Sequence, residues 1–129
     1  MTPLEYIRPE DQFKGGVPLS PAVKAGKLIF VSGTPAFDKA GQLAVGDFTA
    51  QMKQVMENIT RILKASGAGW DRVVKMNVML TRREDFGEMN RVYSTYFPTG
   101  NYPARTTAIL FSLPQPEFLI EIECEAVLE

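Results

Sequence analysis

The chain has 129 residues, 45% of them hydrophobic and 22% charged, enough for one well-buried core and too few to expect two, so a single domain over residues 1–129 is expected. Fourteen basic residues stand against fifteen acidic ones with no long block of either sign, which leaves no broad electrostatic footprint for nucleic acid or an anionic membrane. No histidine occurs and the one cysteine is Cys124, which removes Ser-His-Asp and Cys-His catalysis, histidine-ligated zinc and thiolate metal sites.

The first residues have neither a basic lead nor a long apolar run, and nowhere do about twenty apolar residues follow one another, so a soluble, unexported, cytoplasmic protein is expected. Leu4 to Ile7 reads as a short strand, Pro9 to Pro21 as a loop rich in proline and glycine, and Ala22-Val23-Lys24 as a second short strand. Lys27 to Gly33 is a continuous β-branched and aromatic run, the pattern of a strand covered on both faces. Asp38-Lys39-Ala40-Gly41 reads as a turn.

At Asp47 the apolar period changes. Met52, Val55, Met56, Ile59, Ile62 and Leu63 form one stripe of an amphipathic helix running to about Ser66, with Asp47 as its N-cap, Gly67 as its stop and the methionines as core. Val73 to Leu80 is a second strong strand, and Asp85 to Phe97 a second helix with Phe86, Met89, Val92, Tyr93 and Tyr96 at helical spacing. Arg82-Arg83, just ahead of it, reads as a solvated pair. Strands at about Thr106 to Phe111 and Phe118 to Val127 complete an α+β plan in which two helices cover one face of a mixed five- or six-stranded sheet. The other face has to be covered by something, and the apolar strands point to further copies of the chain, a homo-oligomer.

Chemistry has to come from carboxylate, guanidinium, hydroxyl, phenol, backbone and water, because no G-x-G-x-x-G or P-loop spacing occurs either. Arg105 and Glu121 are charges set into strand segments. A guanidinium fork grips a carboxylate at two points, and a neighbouring carboxylate can hold or activate water beside it, so the pair suggests a small-acid site. Each residue also has a plainer reading. Arg105 can be a structural arginine paired with a carboxylate across the sheet or the subunit boundary. Glu121, Glu123 and Glu125 alternate onto one strand face and can form a solvated edge, of which Glu121 is the member expected to face a pocket. Asn90 can bridge within its helix, Ser32 can form a turn before Gly33, and Cys124 is expected to be a buried filler.

Val31-Ser32-Gly33, the segment Phe86 to Tyr93, Tyr102-Pro103-Ala104-Arg105-Thr106 and Ile120-Glu121-Ile122-Glu123 occur in an order and spacing that resemble the RidA/YjgF family of reactive-intermediate deaminases, from about Val17 to the end. The resemblance implies a chorismate-mutase-like fold assembled as a homotrimer with sites in the clefts between subunits. It also implies hydrolysis of 2-imino acids, or their 2-aminoacrylate tautomers, to 2-keto acids and ammonia, with no metal or organic cofactor. By position, Arg105 would clamp the carboxylate of the imino or keto acid and Glu121 would position water and shuttle protons. Ser32 and Gly33 would line the pocket, while Asn90 and the backbone around Thr107 would hold substrate or water. Two positions depart from the family's pattern: Thr107 stands where many members have cysteine, and Leu19 where they often have tyrosine, which leaves a more apolar wall suited to a larger or different imino acid.

An orientated carboxylate, a held water and a proton relay suffice for an electrophilic imine carbon, so a site this sparse is chemically adequate. Alternative readings are a 2-aminomuconate-type deaminase, a non-catalytic trimer that binds small carboxylates or protein partners, and an endoribonuclease. Missing histidine and near-neutral charge argue against the last, and no nucleic-acid or membrane partner is expected.

Overall fold

A computed structural model describes residues 1–13 and 15–129. The strands are β1 (Leu4–Ile7), β2 (Ala22–Ala25), β3 (Leu28–Thr34), β4 (Val73–Leu80), β5 (Ala104–Ile109) and β6 (Ile120–Val127); the helices are α1 (Phe48–Ala65) and α2 (Phe86–Ser94). They form one six-stranded sheet in the order β1-β2-β3-β6-β4-β5, antiparallel throughout except for the parallel β4–β5 pair that α2 connects. Residue for residue the elements fall close to the expected ones, and the mixed sheet has the larger of the two strand numbers expected.

Helix α1 begins where expected, with the Asp47 carboxylate accepting from the Ala50 N–H at 3.0 Å. It closes through Ser66 and Gly67, the glycine at φ +90°, and the Ala68 N–H donates to the Leu63 carbonyl at 2.9 Å. Its stripe packs on β3 and β6: Met52, Val55, Met56, Ile59, Ile62 and Leu63 are buried against Ile29, Val31, Ile120, Ile122, Cys124 and Ala126. Helix α2 is shorter than its apolar spacing suggested. The turn Arg83–Asp85 precedes it, and the Asp85 carboxylate is held by Arg82 at 2.7 and 3.0 Å, so Asp85 gives no side-chain cap and Arg82 is paired and not merely solvated.

The β3 run alternates within the single chain: Ile29 and Val31 are buried beneath α1, whereas Leu28 and Phe30 are exposed on the opposite face. That open face also carries Glu121, Glu123 and Glu125 of β6, because successive side chains of a strand point to opposite sides. Among the described residues, no helix is long and apolar enough to cross a membrane.

Candidate active site

Strand β5 starts two residues earlier than the apolar pattern suggested, at Ala104, so Arg105 lies inside the ladder beside Met76 of β4. Its side chain turns to the helix-covered face and meets α2. The guanidinium carbon sits 4.8 Å from the Tyr93 ring centroid and 6.0 Å from that of Phe86, with Nη1 3.7 Å from the Met89 sulfur. Arg105 makes no ion pair with any described residue of its chain, which removes the reading of an arginine locked to an internal carboxylate. Arg105 lines an open cavity of ≈ 370 Å³ with Asn90, Tyr93, Ser94, Tyr102 and Pro103. Thr107 follows on the same side of β5, half-buried but outside that wall.

Tyr93 is the part of this cluster that the sequence did not single out. Its position four residues after Met89 reads as core stripe, and both are indeed buried, yet the face of the Tyr93 ring is what carries the guanidinium. The Tyr93 hydroxyl is buried without a hydrogen-bond partner among the described residues. Burial pushes the phenol above its ordinary pKa, and the Arg105 charge works against that rise.

Glu121 stands elsewhere. On β6 it lies between the buried Ile120 and Ile122, opposite Met79 of β4, and projects half-buried from the open face of the sheet. Between Val31 and Thr34 the β3–β6 register shifts, and this irregularity brings Gly33 against the acid: a Cβ on Gly33 would meet Glu121 Oε2 at 2.7 Å. Ser32 is anchored by Oγ donating to the Ser20 carbonyl at 2.6 Å and by its N–H donating to the Pro21 carbonyl at 2.9 Å. Ser32, Gly33 and Leu19 line one cavity of ≈ 260 Å³. Burial, with the neighbouring Glu123 charge adding to it, holds the Glu121 carboxyl above the usual carboxylate range, which suits a group that exchanges protons. Glu123 and Glu125 are exposed, Glu123 accepting from Asn77 at 2.8 Å, and fit the solvated edge.

The expected site residues therefore fall into two groups. Arg105 and Asn90 share one cavity, with Thr107 close by on the same strand; Ser32, Gly33 and Leu19 share another, with Glu121 at its glycine. Arg105 and Glu121 leave the sheet from opposite faces, so their side chains do not meet within one chain. Cys124, buried on the helix side and pushed up to about 12 by burial and by Glu125 and Glu123, is the expected filler and no nucleophile. No three His, Cys, Asp or Glu side chains among the described residues group as metal ligands would.

The pattern of the Endoribonuclease L-PSP family matches residues 10–128. A RutC family protein of Pyrococcus horikoshii is 40% identical over 126 residues, covering 97% of this chain and 98% of its own. The mouse 2-iminobutanoate/2-iminopropanoate deaminase is 40% identical over 111 residues, 85% of this chain and 81% of its own. Among solved structures, E. coli TdcF with bound serine superposes with a TM-score of 0.88 at 28% identity, covering 95% of this chain and 98% of that one. With the sequence motifs, the fold and the matched length agreeing, the chain belongs to the Endoribonuclease L-PSP family, the RidA/YjgF family that its motifs resemble.

Proposed function

We propose that the protein is a cofactor-free deaminase that hydrolyses 2-imino acids to 2-keto acids and ammonia, at sites completed between subunits of a homotrimer. The observation that carries this reading is the Arg105 guanidinium: half-buried, held on an aromatic face, without an ion-pair partner among the described residues of its own chain and opening onto a cavity. Such a group has its charge-assisted bonds still to make, and a small carboxylate fits its fork. The mouse relative's name and the serine bound to E. coli TdcF support both the reaction and the class of ligand.

Opposite-face placement of Arg105 and Glu121 supports assembly as the means of joining them. One subunit supplies Arg105, Asn90 and the Thr107 backbone; its neighbour supplies Glu121, Gly33, Ser32 and Leu19. Exposed Leu28 and Phe30 on the open sheet face give that assembly apolar surface to bury.

The chemistry is then a hydration followed by an elimination. Arg105 holds the substrate carboxylate, and Glu121 takes a proton from water as its oxygen bonds to the imine carbon. The same carboxyl returns that proton to nitrogen to give the carbinolamine, then carries the hydroxyl proton to nitrogen as well, so that the C–N bond breaks and ammonia leaves as the C=O forms. Orientation and proton transfer carry the rate, with no covalent intermediate. The reading is tested by supplying 2-imino acid from an amino-acid oxidase and timing ammonia release. Arg105→Ala is expected to lower kcat/KM by at least about a hundredfold, the worth of roughly two charge-assisted hydrogen bonds. An unchanged rate would contradict the clamp.

A further inference from the structure

The ≈ 260 Å³ cavity is lined by Ser32 and by Gly33, against which the Glu121 carboxylate packs, and is walled by Val17, Leu19, Phe37 and Ile62, with Arg8, whose Nη2 donates to Ser20 Oγ at 3.1 Å, also in its lining. Most polar groups at its edge are already engaged. Ser32 Oγ donates to the Ser20 carbonyl (2.6 Å), Thr34 Oγ1 to the Ser32 carbonyl (2.8 Å), and Asn58 Nδ2 to the carbonyls of Pro35 and Phe37 (3.1 and 2.8 Å), while Asn58 Oδ1 accepts from Gln54 (2.9 Å). An occupant is therefore met mainly by carbon, a wall that holds water poorly and an apolar chain well.

We infer that this cavity receives the substrate's side chain and sets the substrate class: 2-imino acids with branched or long apolar side chains, of leucine or methionine size, in preference to the alanine-derived imine. The inference rests on the deaminase reading and adds to it which imines are taken. Size agrees, because ≈ 260 Å³ lies just below the roughly 300–1,000 Å³ of cavities that take whole drug-sized ligands, room for a side chain and little more. Gln12 is the competing signal. Its side-chain oxygen is buried without a donor among the described residues and would suit a substrate ending in an amide.

The test supplies the imines of alanine, leucine and glutamine in situ with an L-amino-acid oxidase and times ammonia release. kcat/KM for the leucine imine is expected to exceed that for the alanine imine by at least about tenfold, a discrimination that even one methylene can give. Val17→Trp, which fills the cavity from its exposed rim, is expected to bring the ratio towards one. A ratio near one in the unaltered protein, a ratio that survives Val17→Trp, or a preference for the glutamine imine overturns the cavity assignment and leaves deamination standing. Absence of turnover on every imine would sink the deaminase reading instead, and calorimetric binding of 4-methyl-2-oxopentanoate against pyruvate then decides for the cavity: tighter binding of the branched acid upholds it, equal binding overturns it.

Discussion

The Glu121 carboxylate and Gly33 are in such close approach that the smallest side chain at position 33 would meet Oε2 at 2.7 Å. Gly33 is not in the left-handed region, so it is the contact and not the backbone angle that requires glycine. What an added methyl would strike is the end of a flexible side chain, so the fold can yield where the catalytic geometry cannot. Gly33→Ala is expected to shift Tm by no more than about 3 °C. It should lower kcat/KM by roughly ten- to a hundredfold, the effect of misplacing a reacting group by about an ångström. Melting and turnover on one preparation check both; a folded variant with full activity would separate Glu121 from the chemistry.

The pH profile follows from the same acid. Burial first and the Glu123 charge second raise the Glu121 pKa, so the carboxylate form proposed to activate water is lost at a higher pH than for an exposed glutamate. Glu123→Gln removes the second cause, and the acid limb of kcat/KM is expected to move to lower pH; a shift to higher pH, or none, would contradict the coupling. For stability the sign is the reverse of the common carboxylate case. Between the unfolded and the folded pKa the native state binds more protons, so this group's contribution falls as pH rises through that window. Glu121→Gln is accordingly expected to melt at a higher temperature than the parent above it.

Tyr93 supports Arg105 through its ring. Tyr93→Phe keeps the ring and deletes a buried hydroxyl that has no partner among the described residues, so Tm is expected to hold or to rise, and KM to stay close to that of the parent. Tyr93→Leu removes the platform and is expected to raise KM about two- to thirtyfold, the range of a cation–π contact worth roughly 0.5–2 kcal/mol. A tyrosine whose phenylalanine variant loses turnover would instead be acting through its hydroxyl.

Cys124 gives a simple accessibility test. With its thiol buried and pushed up to about 12, it is expected to resist iodoacetamide at pH 8 in the native protein and to react once denaturant is added. Native labelling at the rate of a free thiol would mean that β6 opens readily.

Much of this arrangement was legible in residue order. The α1 stripe, the Asp47 cap, the Gly67 stop and the alternation of Ile120, Ile122 and Cys124 with the three glutamates follow from local geometry, and each lies where its period put it. The apolar spacing runs past the end of α2 because Tyr96 and Phe97 keep it while the chain is already turning onto Trp70, whose ring centroid lies 5.4 and 5.7 Å from theirs. The apolar pattern misses the start of β5 because Pro103-Ala104-Arg105 offers none, although pairing with β4 recruits Ala104 and Arg105. Arg105 and Glu121 were recognisable as out-of-place charges. Their faces depend on a tertiary choice, which strand borders which and where the helices lie, and no local pattern carries that. The Tyr93 platform was hidden for the same reason: a tyrosine in a core stripe looks alike whether or not a cation lies over it.

The most direct measurement joins one chain's guanidinium to another's carboxylate. Arg105→Ala and Glu121→Ala chains, each inactive alone, are co-expressed with different tags and purified through both, so that every assembly is mixed. In a closed ring of three with each site built from adjacent subunits, one site retains both groups, and about a third of the parent activity is expected to return. No activity above that of either parent variant would contradict a site shared between subunits.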